Sequence, residues 1–333
     1  MSNRVVFLLF ILLTFPFAKT KAQDAATLAS EASQLNKAGK YEAAIQKCKE
    51  VLKIEPDNIK AKYQLAFCLY NTGRENEAIP YLEAVTISSK QAAVLSSSFA
   101  LLGGIYDKQK NSQKSVTCYR RALELDSLNQ DLYYSRGLAY FRAQKYQQAE
   151  TDAVKSVMLN HAHAASFRLY ALVSFHQNKR AAAFLGLCHF LFLDPSGPFA
   201  QESYNNIQSI LRGGNLKEES KADAKVPDQK SLALNAVISK AIASAKPENA
   251  SKRALFSAQL ASIFRNLDQS APSSPDGFLS DKLIPLYSGI YSAGHTTAFA
   301  YYISQTWDAA AATWVRDHNE QVEQMKHFIS SRM

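Results

Sequence analysis

Residues Leu101–Leu125 read LLGGIYDKQKNSQKSVTCYRRALEL. Apolar residues recur at helical spacing in Leu101–Tyr106 and again in Val116–Leu125, with a polar turn, Lys108–Ser112, between them. The stretch therefore predicts two short amphipathic helices folded back on each other. Small residues, Gly103 and Gly104, stand where the two helices have to touch.

The same plan occurs elsewhere in the chain. Glu31–Pro56 carries Ala32 and Leu35, then Gly39 and Tyr41 at the turn, then Ala44, Cys48, Val51 and Leu52. The next unit places Leu65, Ala66, Leu69, Gly73, Ala78, Leu82 and Val85 at the same offsets, and the third has Leu102, Gly103, Tyr106, Ser115, Tyr119, Ala122 and Leu123. A fourth has Gly137, Tyr140, Tyr146, Ala149, Ala153 and Val157, and a fifth has Ala171, Asn178, Ala183, Leu187, Phe190, Leu191 and Pro195. The small residues Ala32, Ala66, Gly103, Gly137 and Ala171 are separated by 34, 37, 34 and 34 residues. The long interval reads as a three-residue insertion in a loop near Ser88–Ala93.

A 34-residue helix–turn–helix period with these small and aromatic positions resembles the tetratricopeptide repeat. One such unit cannot cover its own apolar face, so several must stack. The resemblance implies an all-α fold. It would be a right-handed α-solenoid of about five helix pairs over residues 25–195, in units of about 25–58, 59–95, 96–129, 130–163 and 164–197. Phe199–Leu211, with Phe199, Ile207, Ile210 and Leu211 at helical spacing, predicts a capping helix over 198–213. Residues 214–230 are charged and poor in large apolar residues, and read as a linker.

Residues 231–333 predict a small helical C-terminal domain. Ser231–Ala245 has Leu232, Leu234, Val237, Ile238 and Ile242 on one face. Ser251 is placed to cap a helix bearing Leu255, Phe256, Leu260, Ile263, Phe264 and Leu267. Phe278–Tyr291 predicts a bent or two-part helix interrupted by Pro285. Gly294–His295 marks a turn before a helix over Thr296–Ser304, and Asp308–Ser331 reads as one last helix. LIPLYSGIYSAGHTTAFAYYIS is similar to a C-terminal extension of exported repeat proteins from Gram-negative bacteria, a likeness that implies no activity.

The chain opens with Arg4 followed by 13 mainly apolar residues, Val5–Phe17, and a small–x–small site at Thr20–Ala22. That pattern predicts a signal peptide over residues 1–22, cleaved after Ala22, and a periplasmic or secreted protein; the alternative is a buried N-terminal helix. No later segment is apolar enough to span a bilayer. The formal charge of +9 falls to +6 without Arg4, Lys19 and Lys21. There is no basic run, which argues against nucleic acid as a partner. Cys48, Cys68, Cys118 and Cys188 match no zinc spacing and fall at positions suited to burial. They read as free thiols, Cys48 with Cys68 being the one pair whose register could bring them together.

Sites for chemistry are poor. His295 has only Ser292, Ser304 and Asp281 nearby in sequence and reads as a helix-start or core histidine. His161-x-His163 lies in an inter-repeat loop without a third ligand. His318 and His327 do not share a face. The chain is thus expected to be no enzyme, with no cofactor and no metal. What the repeats offer is a surface. By the resemblance, the first helix of each repeat lines a concave face. Tyr63, Phe67 and Tyr70 stand there from the second repeat, Tyr134, Leu138 and Phe141 from the fourth, and Arg168, Leu172 and Phe175 from the fifth. The third contributes only Ser97, Ala100, Gly104 and Asp107, leaving a floor of small residues between aromatic walls. These aromatics either open into the groove or pack within the array. A second row, Lys37, Asn71, Lys108, Arg142 and His176, holds one offset in all five repeats. Its cations either complement helix dipoles or attract an acidic segment of a partner. The expected function is a scaffold that holds a peptide or protein, with a structural role in the cell envelope through the C-terminal domain, with Trp307 and Trp314, as the alternative. The sequence leaves the oligomeric state open.

Overall fold

A computed structural model describes residues 23–212, 229–245, 251–270 and 277–333. The expected signal peptide, and nearly all of the expected linker, lie outside these residues. Among the described residues there are helices and no strands. In chain order they are α1 (23–37), α2 Tyr41–Ile54, α3 Ile59–Asn71, α4 Glu75–Ser88, α5 Ala92–Lys108, α6 Ser112–Leu125, α7 Gln130–Arg142, α8 Tyr146–Leu159, α9 Ala164–His176 and α10 Arg180–Leu193. Then come α11 Ala200–Leu211, α12 Gln229–Ser244, α13 Lys252–Ser270, α14 Ile284–Ser292, α15 Thr296–Ser304, α16 Ala309–Asp317 and α17 Asn319–Ser330.

Each helix pair is closed by the same turn. Gly39 and Gly73 adopt φ of 71° and 75°, and Lys110, Gln144 and Asn178 adopt 59°, 57° and 56° at the equivalent positions. Around each, the following N–H reaches back five residues: Lys40 to Leu35, Arg74 to Leu69, Asn111 to Tyr106, Lys145 to Tyr140 and Lys179 to Ser174. That is the Schellman ending, which satisfies the last carbonyls of the first helix and reverses the chain. Glycine takes the left-handed backbone without a Cβ clash, whereas a residue such as Lys110 does so at about 1 kcal/mol.

The described residues fall into two compact units, those up to Ala139 and those from Tyr140 onward. In the first, α2 to α6 stack as successive antiparallel helices around one core. Ala44, Ile45, Leu65, Ala66, Leu69, Ala78, Leu82, Leu102 and Ile105 are buried in it. Gly103 is there because an added Cβ would stand 3.0 Å from the Tyr119 ring. The long interval between repeats is absorbed in helix. The loop Ser89–Gln91 is short, while α5 has 17 residues against 13 in α3, so the extra residues form about one further turn at the start of α5. Ion pairs tie neighbouring pairs together, Arg74 to Glu42 at 3.6 Å and Lys108 to Glu75 at 2.9 Å.

The second unit is built around α10. Every residue from Ala181 to Phe192 is buried, because α9, α11, α12 and α15 all pack against it. Asn235 ties α12 to the start of α10. Asn235 accepts from the Arg180 N–H at 2.7 Å and donates to the Asn178 carbonyl at 2.6 Å, so a helix of the C-terminal region clamps the turn of the fifth repeat. Within the second unit, residues on both sides of the expected linker pack together. The fifth repeat and the C-terminal helices share one core. Leu232, expected on the buried face of α12, is 44% exposed, since that face is centred on Leu234, Asn235, Ile238 and Ala241. Phe199 is also exposed, at the entry to α11, with the Arg168 guanidinium over its ring at 3.9 Å.

Ser251 caps α13 as expected, accepting from the Ala254 N–H at 3.2 Å. The bend before Pro285 is a π-helical turn, Leu279–Leu283, closed by the Ile284 N–H on the Leu279 carbonyl. Proline has no N–H to continue an α-helical ladder, and the widened turn accommodates the loss. The last helix expected over Asp308–Ser331 is two helices. The backbone breaks at His318 (φ −119°, ψ 37°), whose ring stacks on Trp314 at 4.2 Å and whose Nδ1 meets the Trp314 carbonyl at 3.0 Å. The break lets α17 bury Val322, Met325 and Ile329 independently of α16.

Candidate functional site

In the first unit, α3 presents the three aromatics the sequence pointed to. Asn58 caps this helix by accepting from the Ala61 N–H at 2.9 Å, fixing its start and hence the register of Tyr63, Phe67 and Tyr70. All three are half-buried. The Tyr63 hydroxyl bonds Ser97 on α5, and burial pushes its pKa up. The Tyr70 hydroxyl passes so close to Gly104 that a Cβ there would stand 3.5 Å from it. Phe67 meets Tyr41 edge-on at 6.4 Å. Tyr63 and Tyr70 thus meet α5 and Phe67 meets α2, while each ring keeps part of its surface exposed.

The polar row around them is largely engaged. The Asn71 amide turns back to the Phe67 carbonyl at 2.8 Å. The Lys108 ammonium sits 4.1 Å over the Tyr70 ring and pairs with Glu75 at 2.9 Å, which lowers the Glu75 pKa. Tyr134 is half-buried on α7, in the same unit.

The second unit gathers other members of the expected set. Phe141 and His176 meet edge-on at 5.2 Å, and His176 stacks on Tyr146 at 5.0 Å and 11°. Phe175 lies 6.2 Å from His176. Burial lowers the His176 pKa, so at neutral pH this member of the row is an uncharged aromatic and no anion grip. Arg168 is turned toward α11, pairing with Glu202 at 2.9 Å and covering Phe199. Arg142 is exposed at the end of α7. The row has one register and several chemistries: an amide, a paired ammonium, a guanidinium and a neutral imidazole.

The histidines weighed for chemistry have structural surroundings. His295 begins α15 and packs edge-on against Phe328 at 5.3 Å. His163 Nδ1 bonds Ser166 Oγ at 2.6 Å. Burial and the charge of Lys282 lower the His161 pKa. His189, which sequence reasoning passed over, is fully buried against Phe167 at 4.1 Å and 3.4 Å from the Tyr287 hydroxyl; burial pushes its pKa down to about 3. Its signal was its place in a helix apolar on every side. All four cysteines are free, and Cys118 alone is half-buried. Among the described residues no three potential ligands converge on a metal position, and no helix is long and apolar enough to cross a membrane. Trp314 meets the Tyr301 ring at 4.7 Å and Trp307 the Tyr204 ring at 4.8 Å, both tilted, so both tryptophans are part of their own unit's packing.

Comparison with known proteins agrees with the repeat geometry. Residues 35–96 match the tetratricopeptide repeat family and residues 103–144 match a second TPR repeat family. A DnaJ homolog subfamily C member 3 homolog from Dictyostelium discoideum is 28% identical over 156 residues, 43% of this chain and 31% of that protein. Human RNA polymerase II-associated protein 3 is 27% identical over 138 residues, 41% of this chain and 20% of that protein. The chain thus spans about a third or less of the curated relatives it matches. Among solved structures, a tetratricopeptide repeat protein from Parabacteroides merdae ATCC 43184 has a TM-score of 0.49 at 15% identity, covering 92% of this chain and 99% of that one. With five Schellman-closed turns and repeat-family matches over residues 35–96 and 103–144, this chain carries tetratricopeptide repeats.

Proposed function

We propose that this chain is an exported, non-enzymatic scaffold that takes up a peptide or protein segment on the first-helix face of its repeats. The observation that carries this reading is the patch on α3 and α5. Tyr63, Phe67 and Tyr70 are half-exposed, Tyr63 bonded to Ser97 and Tyr70 lying against Gly104, with the Lys108 ammonium over the Tyr70 ring. Rigid aromatic area beside a shallow floor suits one bulky apolar side chain of an extended or helical segment. Lys108 is already paired with Glu75, so it tunes the patch more than it grips an acidic partner. The primary recognition is therefore apolar. The alternative, assembly through the C-terminal helices, draws less support, because Trp307 and Trp314 are both packed on neighbours in their own unit.

The test is site-specific photocrosslinking in the native host. A benzophenone side chain in place of Tyr70 should capture a protein that the same group in place of the exposed Leu128 does not. Equal capture at both positions, or capture only from positions on α16 and α17, contradicts the reading. Periplasmic fractionation with the N-terminus determined tests export, which predicts a mature chain beginning at Gln23.

A further inference from the structure

The second unit holds a cleft of about 650 Å³ between α11, α13 and the α15–α16 junction, well apart in sequence from the α3–α5 patch. That volume lies within the range of small-ligand sites, roughly 300–1,000 Å³. Its apolar wall is aromatic: Tyr204, Phe256, Tyr301 and Trp307 line it, with Tyr204 5.6 Å from Phe256 and 4.8 Å from Trp307. Its polar wall is cationic, from Arg212, Lys252 and Arg253, with Asp308 as the one acid.

The charges are not equivalent. Asp308 caps α16, accepting from the Ala310 and Ala311 N–H groups at 3.0 and 3.2 Å, and it holds Arg253 at 3.0 Å. That carboxylate and that guanidinium satisfy each other. Arg212 and Lys252 form no ion pair among the described residues. Gln208 also lines the cleft, and its buried Nε2 donates to no acceptor among the described residues. A buried donor without a partner is a standing cost that a ligand oxygen would remove. Two cations without an ion pair among the described residues, and a buried donor, beside an aromatic wall suit an anion joined to an apolar body. The Asp308–Arg253 pair adds no net charge to the cleft, so the anion site is set by Arg212, Lys252 and Gln208.

We propose that this cleft binds an apolar carboxylic acid, its carboxylate held by Arg212, Lys252 and Gln208 and its apolar body against Tyr204, Phe256 and Trp307. Two sources carry that chemistry, a free small acid and the last residue of a polypeptide. Calorimetric titration of the full chain distinguishes them, with N-acetyl-phenylalanine, acetyl-Ala-Ala-Phe and the C-terminal amide of each as probes. Trp307 provides a second readout, since the chain has two tryptophans and Trp314→Phe isolates its emission. The free acids should bind saturably and the amides about tenfold or more weaker. Tighter binding of the tripeptide assigns the site to chain ends, and equal binding assigns it to small acids. Arg212→Gln with Lys252→Gln, both on exposed side chains, should weaken the acids at least tenfold with an unchanged thermal midpoint. Tyr63→Ala with Tyr70→Ala should leave this binding unaltered, which separates its failure from that of the α3–α5 patch. Three results would each overturn the proposal: no saturable signal up to about 10 mM, acid and amide binding alike, or wild-type affinity in the Arg212→Gln, Lys252→Gln variant.

Discussion

Asn235→Ala should destabilise the second unit far more than its place on a C-terminal helix suggests. The side chain is 9% exposed and makes two bonds to the backbone of the α9–α10 turn, at 2.7 Å to the Arg180 N–H and 2.6 Å to the Asn178 carbonyl. Truncation removes both partners from groups shielded from water, at about 1–3 kcal/mol each. The two bonds share one side chain, so the joint loss is set at about 2–4 kcal/mol. For a unit of this size that lowers the thermal midpoint by roughly 5–12 °C. Asn235→Asp is the sharper variant. It keeps an acceptor for the Arg180 N–H but sets a carboxylate oxygen against the Asn178 carbonyl, and should cost at least as much. Leu232→Ala, on the same helix and 44% exposed, is the control and should change stability by less than about 0.5 kcal/mol. Urea unfolding of the full chain, with hydrogen exchange read at Lys179 and Arg180, makes the comparison. If Asn235→Ala unfolds within about 0.5 kcal/mol of wild type, the clamp is not a clamp and the shared core of repeat and C-terminal helices is wrong.

Gly186→Ala should cost roughly 1–2 kcal/mol, because the new Cβ would stand 3.0 Å from the Ala171 Cβ and 3.1 Å from the Tyr170 ring, a clash only partly offset by better helix propensity; a midpoint at or above wild type would refute the close packing of α10 on α9. Acidification should destabilise the protein through His189. Between the ordinary value of 6.5 and about 3 the unfolded chain binds a proton that the buried imidazole does not, so this stability is complete above the window and is lost as pH falls through it, on the order of a few kcal/mol. His189→Gln should flatten the fall in urea midpoint between pH 7 and pH 4.5, and an unaltered slope would remove His189 from the account. The thiols should be inert at pH 8, since burial pushes Cys48 up to about 12 and Cys68 and Cys118 up to about 11. A thiol reagent should label all four in urea and none in the folded chain, and rapid labelling of Cys118 would contradict this.

The repeat region was readable because its physics is local. A small residue, a turn and an apolar face recur at fixed offsets, and Leu65, Ala66, Leu69, Ala78, Leu82 and Val85 are all buried as that pattern requires. The turn was half visible. Gly39, Gly73 and Asn178 announce a left-handed residue, whereas Lys110 and Gln144 adopt the same backbone against their preference, held there by the flanking helices. The helical extension of α5 was hidden because an insertion carries no mark of whether it lengthens a loop or a helix. What sequence reasoning missed was a matter of partners. Ala181–Phe192 is apolar all round, which already says that α10 has no solvent face, yet a repeat template supplies cover on one side only. The other cover comes from α12 and α15, which begin at Gln229 and Thr296, far along the chain from Leu193, and no periodicity encodes that pairing. The site residues divide in the same way. Their places on first helices followed from the register, but the partners that engage them, Glu75 for Lys108, Glu202 for Arg168 and Tyr146 for His176, are non-local.

The central claim is that the first-helix aromatics are the docking surface. Its most direct measurement is the affinity of the purified protein captured at Tyr70 for the full chain, compared with the Tyr63→Ala, Tyr70→Ala variant. Truncating two aromatic anchors should weaken binding at least tenfold, by about 1.4 kcal/mol or more, while both proteins keep the same helicity. Equal affinity in wild type and variant, with the fold intact, would contradict the account.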